Sequence, residues 1–177
     1  MRIIAGKYKG RRLCEFSKIG VRPTGDMARE SLFNILSFGV NDSLFLDLFS
    51  GTGAIGIEAL SRGAKKVVFN DQSRQSVSLI RQNLKKIGEP ENACVLERDA
   101  LYLLQNGGVE YDYIFSDPPY RSGLNEKVVL VASNSLKSGG TLILEDEKPF
   151  SQEIPLPLKL KDQRKYGRTY FTFIVKE

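Results

Sequence analysis

The sequence predicts an α/β fold: a doubly wound, mostly parallel, seven-stranded sheet with a small β-hairpin extension at the N-terminus. Three observations carry that prediction. Short apolar runs such as "LFLDLF" (44–49) and "KKVVFND" (65–71) are nearly continuous, the pattern of parallel strands covered on both faces. Segments with helical spacing separate these runs, as crossover connections require. A glycine-rich stretch, "SGTGAIG" (50–56), leads straight from the first run into the first of those helices.

Taken in order, "RIIAGKYKGRRL" (2–13) reads as a hairpin turning near Gly6–Gly10. "RPTGDMARESLFNIL" (22–36) is a helix entry that Thr24 or Asp26 can cap, with Leu32, Ile35 and Leu36 as its apolar stripe. After strand 44–49, "AIGIEALSRG" (54–63) is a helix closed by Gly63. Strand 65–71 precedes a helix over 73–88, with Ser73 as N-cap, Val77, Ile80, Leu84 and Ile87 at helical spacing, and Gly88 as the stop. "ACVLE" (93–97) and "DYIFSD" (112–117) are strands, Asn125–Leu136 a helix and "GTLILED" (140–146) a strand. The tail, 158–177, reads as two strands joined at Tyr166–Gly167, forming an antiparallel edge. There is no repeat and no low-complexity linker. Residues 1–21 are therefore a basic hairpin extension, and 22–177 the main domain.

With 41% hydrophobic and 27% charged residues, the 177-residue chain has the composition of an ordinary soluble globule. It has no apolar run of membrane-spanning length and no signal-like N-terminus, so a cytoplasmic location is expected, with no membrane partner. The absence of histidine removes imidazole general bases and His-ligated zinc, and no metal site is expected. Cys14 and Cys94 fit no metal or redox spacing and read as free thiols. The net charge of +5 is unevenly placed: +6 over residues 1–25, −5 over 26–156 and +4 over 157–177. Basic ends around an acidic centre suit a polyanionic partner, although a solvated face is the plain alternative.

Gly51, Gly53 and Gly56 match G-x-G-x-x-G between a strand and a helix, where backbone N–H groups can approach a ligand. Asp71 follows Gly51 by 20 residues, the spacing of a carboxylate that accepts from ribose hydroxyls. Asp47, inside the strand that precedes the loop, would repel a pyrophosphate and attract a cationic amino group. Together these acids favour S-adenosylmethionine over NAD. Asp99–Ala100 falls where an acid can accept from an adenine amino group, and Asp99 can equally be the N-cap of the helix "ALYLLQ".

Strand 112–117 ends in Asp117-Pro118-Pro119-Tyr120. In an open α/β sheet, ligands lie beyond the carboxyl ends of the strands, at the topological switch point. If this strand neighbours strand 44–49, Asp117 faces the cofactor's methyl group. Prolines hold a rigid turn and present carbonyls without competing N–H donors. A carboxylate and such a carbonyl can accept both hydrogens of an exocyclic amine, and Tyr120 offers a stacking face to a flat base. Accepting those hydrogens returns electron density to a nitrogen whose lone pair is otherwise delocalised into the ring.

"DLFSGTG" followed by "DPPY" resembles the class I S-adenosylmethionine-dependent amino-methyltransferases, a Rossmann-like fold. The stretches 2–13, 22–36 and 46–64 are similar to the bacterial family that methylates the guanine N2 amine in small-subunit (16S) ribosomal RNA, and "RKYGRT" in the tail also fits. The resemblance implies a cofactor loop over Asp47–Gly53 that includes Phe49. It also implies a ribose acid at Asp71 with Gln72 beside it, and a catalytic turn over Asp117–Tyr120. The family's second strand more often ends in Glu, for which Asp71 is the shorter equivalent, and Asn70 before it is unusually polar. The implied partner is ribosomal RNA, free or within an assembling small subunit, and a monomer is expected. Lys7, Lys9, Arg11 and Arg12, with Tyr8 among them, are then candidates to grip RNA phosphates on one side of the pocket. Arg164, Lys165 and Arg168 would do so on the other, and Arg22 on the approach to the site. Rival readings are an adenine-N6 or other amine methyltransferase, in which Asn-Pro-Pro-Tyr is commoner, and a catalytically inert RNA-binding protein of this fold. A third, an NAD-dependent dehydrogenase, is disfavoured by Asp47 and the missing histidine.

Overall fold

The computed structural model describes residues 1–16 and 25–177. Helix α1 (Asp26–Leu36) runs through a 3₁₀ turn into β1 (Leu44–Asp47), followed by α2 (Ala54–Ser61), β2 (Lys66–Asn70), α3 (Arg74–Lys86) and β3 (Ala93–Leu96). Then come α4 (Ala100–Asn106), β4 (Tyr111–Ser116), α5 (Leu124–Val131), β5 (Leu136–Asp146), β6 (Leu158–Tyr166) and β7 (Thr169–Lys176). The seven strands are ordered β3-β2-β1-β4-β5-β7-β6. Pairing is parallel from β3 to β5, and β7 is antiparallel to both its neighbours. The chain winds outward from β1 to β3, then returns across β1 to β4. The β1–β4 junction is thus the switch point, and Asp47 and Phe115 are paired across it.

Strand residues alternate between two cores. Phe45, Val67, Phe69, Phe115, Ile143 and Phe171 pack under α1, α2 and α3, while Leu46, Val68, Ile114, Leu142, Leu144 and Ile174 pack under α4 and α5. Burying each such side chain contributes about 1.5–3 kcal/mol, so a slip in register would expose both layers. Gly56 is required by packing: a Cβ there would lie 2.3 Å from the Phe69 ring, so only glycine lets α2 approach β2 this closely.

Several expected boundaries shift. The helix expected over 125–136 ends at Val131 and continues as a 3₁₀ turn through Ser135, and β5 begins at Leu136 instead of Gly140. A register shift between Tyr111 and Tyr113 accommodates the longer strand. Helix α1 has Gly25 at its N-cap with no side-chain cap, and Asp26 is its first residue; Thr24 lies outside the described residues. Ser73 caps α3 as expected, accepting from the Ser76 N–H at 3.4 Å.

The N-terminal hairpin has one β-bridge, Arg2–Arg12, with flanking bonds from Ile3 N–H to the Arg11 carbonyl (3.0 Å) and from Gly10 N–H to the Ile3 carbonyl (2.9 Å). Ile3, Tyr8 and Leu13 are buried in the core beneath α1–α3. Glu58 of α2, fully buried, accepts from the Ile4 and Ala5 N–H groups at 2.9 and 3.0 Å and pairs with Arg62 at 2.8 Å. Ser61 accepts from the Tyr8 N–H through its hydroxyl (2.9 Å) and from the Lys7 N–H through its carbonyl (2.7 Å). Gly6, at φ 81, is the point of closest approach: a Cβ there would fall 1.8 Å from the Ser61 carbonyl oxygen.

Candidate active site at the carboxyl edge of the sheet

The ends of β1, β2 and β4 converge on one edge. Phe115 of β4 accepts from the Leu48 N–H at 2.9 Å, and Asn70 of β2 accepts from the Ser50 N–H at 2.9 Å. The glycine loop is thereby pinned between β2 and β4. Gly51 and Gly53 have φ of 53° and 79°, left-handed conformations that glycine adopts without strain. Asp71 bridges the loop to α3: one carboxylate oxygen accepts from the Gly51 N–H and the other from the Ser73 N–H, both at 2.9 Å.

Asp47 is buried, and its carboxylate accepts from the Gly56 N–H at 2.9 Å, satisfying one of the free donors at the start of α2. Burial nevertheless pushes its pKa up to about 7, with Asp71 and Glu145 adding to the rise and the Gly56 bond opposing it. Asp117, just beyond β4, is raised well above the usual carboxylate range for the same reason: burial first, then the charges of Glu145, Asp47 and Asp146. Asp47 and Asp117 form no ion pair with a cation among the described residues. A phosphate would be repelled by this edge, whereas a ligand bearing an ammonium and a sulfonium supplies the missing positive charge. The residues present fit S-adenosylmethionine on that ground. Asp99 takes the role of helix cap, accepting from the Tyr102 N–H at 2.8 Å with one oxygen.

Two polar residues that the sequence reading did not place in the site hold this edge together. Asn70 donates to the Leu48 and Arg98 carbonyls, both at 3.1 Å, tying β1 to the segment that carries Asp99. Its polarity within a strand was the available signal. Asn125 of α5 is buried; it accepts from the Ser116 hydroxyl at 2.8 Å and donates to the Glu145 carbonyl at 3.0 Å. It thus clamps the end of β4 to the end of β5 immediately beside Asp117, and no local pattern announces it.

Pro118 is buried, while Pro119 and Tyr120 are exposed, and Arg121 takes φ 60°, a strained conformation for a side-chain-bearing residue. Against the two prolines lies a cleft of about 390 Å³, closed by Asn125, Asp146, Lys148, Phe150 and Thr172. The segment after β5 that supplies Lys148 and Phe150 was likewise absent from the sequence-based site.

The two basic clusters are placed differently. Because β7 is antiparallel to β5, with Asp146 opposite Tyr170, the turn carrying Lys165, Gly167 and Arg168 rises at the same edge as Asp117. Arg164 there pairs with Asp162 at 2.7 Å, and Lys165 lies over the Tyr170 ring. The turn of the N-terminal hairpin instead meets Ser61, the last residue of α2, and Arg11 donates to the Lys86 carbonyl at the end of α3. Both helices start at the carboxyl edge and run away from it. The hairpin turn therefore sits about 12 Å below the glycine loop, the length of eight helical residues, and does not flank the pocket. Tyr8 is buried beneath Lys7 and Arg11, so it offers no stacking face. Arg22 lies outside the described residues.

The Conserved hypothetical protein 95 family matches residues 1–175. The ribosomal RNA small subunit methyltransferase D of Haemophilus influenzae is 37% identical over 153 residues, covering 84% of this chain and 79% of that protein. Its namesake in Escherichia coli is 37% identical over 142 residues, covering 80% and 69%. The solved structure of Escherichia coli yhhF superimposes with a TM-score of 0.87 at 31% identity, covering 100% of this chain and 98% of that one.

Proposed function

Since the chain belongs to the Conserved hypothetical protein 95 family and is similar to ribosomal RNA small subunit methyltransferases D, we propose that it methylates the exocyclic N2 amine of a guanine in small-subunit ribosomal RNA. The observation that carries this reading is the placement of Asp117-Pro118-Pro119-Tyr120 at the end of β4, directly across the switch point from the glycine loop.

S-adenosylmethionine supplies an activated methyl group on a cationic sulfur, a leaving group that needs no further activation. The chain's residues do the rest. Asp47 faces the amino-acid end, with Phe49 in the same loop; Asp71, with Gln72, takes the ribose hydroxyls; Asp99, with Ala100, takes the adenine amine. Asp117 and the Pro118 carbonyl accept the two hydrogens of the guanine amine and hold its nitrogen lone pair toward the methyl carbon. Tyr120 and Pro119 bound the base. The cleft beside them lies within the roughly 300–1,000 Å³ range of small-molecule sites, with room for a purine and part of its backbone.

The raised proton affinity of Asp117 becomes useful here. Burial among acids favours the protonated form of its carboxyl, and positive charge arriving on the cofactor opposes that rise, so Asp117 is a better proton acceptor with the methyl donor in place. Arg164, Lys165 and Arg168 at the catalytic edge, with Arg22, Lys7, Lys9, Arg11 and Arg12, contact RNA phosphates.

The test is transfer of labelled methyl to small-subunit ribosomal RNA, naked and in partly assembled particles, followed by digestion to nucleosides. Label in N2-methylguanosine is the expected outcome. Label in an adenine, or in protein alone, would sink the guanine-N2 assignment.

A further inference from the structure

The edge opposite the catalytic turn, where the strands β1 and β2 begin and the helices α2 and α3 end, is strongly basic. Lys7, Lys9 and Arg11 come from the hairpin turn, Lys65 from the α2–β2 connection, and Lys85 and Lys86 from the last turn of α3. All six are exposed, and among the described residues none pairs with a carboxylate. Asp42, Glu89 and Glu91 are the acids on the adjoining turns. The segments are locked into one surface. Lys7 N–H bonds to the end of α2, Arg11 bonds to the end of α3, and the buried Glu58 carboxylate holds the hairpin backbone. The two lysines ending α3 complement the helix dipole, but that accounts for neither the hairpin cations nor Lys65. By contrast, the basic tail strands neutralise much of their charge internally: Arg164 pairs with Asp162 and Lys159 with Glu177.

We propose that this edge is a second RNA surface, gripping the phosphate backbone of a segment remote from the methylated nucleotide. Like charges fixed on a rigid edge repel one another, and a polyanion laid across them relieves that repulsion while releasing its counterions. The surface and the pocket lie at opposite edges of the sheet, with α2 running between them, so an RNA that reaches both must pass along the side of the domain. The substrate is then a structured RNA that wraps from one edge to the other. This rests on the RNA reading above.

The test uses the quadruple variant Lys9→Gln, Lys65→Gln, Lys85→Gln and Lys86→Gln; all four side chains are exposed, none ion-pairs among the described residues, and none lines the cleft. Affinities for complete small-subunit ribosomal RNA and for a short stem-loop carrying the target guanine are measured across a salt series. On the complete RNA the variant binds about tenfold or more weakly at low salt, and the slope of log affinity against log salt flattens by about three to four. On the stem-loop, wild type and variant agree within about twofold, since the remote segment is absent. Cofactor titration of the same variant monitors its folding. Superimposable curves on the complete RNA, or equal losses on both RNAs, overturn the proposal while leaving the methyltransferase reading intact; an acidic protein would then be the partner to seek. Failure of wild type to bind either RNA would instead remove the RNA reading itself.

Discussion

At the carboxyl edge of the sheet, burial and neighbouring carboxylates raise the proton affinity of Asp47 and Asp117, and the Asp47 carboxylate accepts from the Gly56 N–H. At the opposite edge, six exposed cations stand on three segments, and among the described residues none of them pairs with a carboxylate. Among the described residues the two edges differ in the sign of their charge, acidic at one and basic at the other. The acidic edge suits a small cation and the basic edge a large polyanion. The proposed RNA surface and the cofactor site would then draw on charges of opposite sign and not compete for the same ground.

Glu58 joins the two. It is the buried carboxylate that ties the hairpin to α2 and faces Arg29 and Arg62, at 3.9 and 2.8 Å. Replacing it with Ala leaves Arg29 buried with too little counter-charge, and already two of its nitrogens have no hydrogen-bond partner. Glu58→Ala should cost about 3–5 kcal/mol of stability in a denaturant titration. A loss below about 1 kcal/mol would mean that the hairpin is held by its apolar residues alone.

Asp117→Ala removes the acceptor from the acidic edge. Methyl transfer should fall by about 10²–10³-fold, with cofactor affinity changed only a few-fold. Near-normal turnover in a transfer assay would take Asp117 out of the reaction. Asp117→Asn keeps an acceptor oxygen and should lose less.

Asp71→Ala should weaken S-adenosylmethionine by about 1.5–3 kcal/mol, the range for hydrogen bonds to a charged group. Because Asp71 also fixes Gly51 and Ser73, Asp71→Asn, which retains one acceptor, should recover part of that loss. Calorimetry separates the two variants, and equal affinities for wild type and Asp71→Ala would dismiss the ribose role.

The smallest effect is a proton count. Asp47 holds a proton up to about pH 7 in the folded protein but loses it near pH 4 when unfolded. The folded state therefore binds more protons over that interval, and this group's contribution to stability falls as pH rises from about 4 to about 7, then levels off. A cationic ligand lowers the pKa, so binding near neutral pH should release up to about one proton. Titrations in buffers of differing ionisation enthalpy would reveal it, and a heat independent of buffer would show that Asp47 does not sense the ligand.

Much of this was legible in short stretches of sequence. Continuous apolar runs marked β1, β2 and β4 because both faces of each are covered; the glycine loop and Asp71 declared themselves by spacing; and Ser73 capped α3 as its position required. These are local effects, set by residues within a turn or two of one another. The end of α5 was misjudged because Ala132–Ser135 keeps a helical pattern while tightening into a 3₁₀ turn, where Ser135 donates to the Leu104 carbonyl at 2.8 Å. That bond spans 31 residues.

By itself, then, the sequence determined the layer order, the switch-point loop and the acids that meet there, because strand periodicity, glycine conformation and motif spacing are short-range properties. Only the tertiary structure decided where the charges face. Glu58 finds its partners 53 and 54 residues away. Asn125 clamps strands that no pattern connects to it. The hairpin and tail clusters, alike in composition, fall on opposite edges because α2 and α3 descend from the site while the β6–β7 turn rises beside it. Direction along a packed element is a global property, and a linear run of lysines and arginines does not contain it.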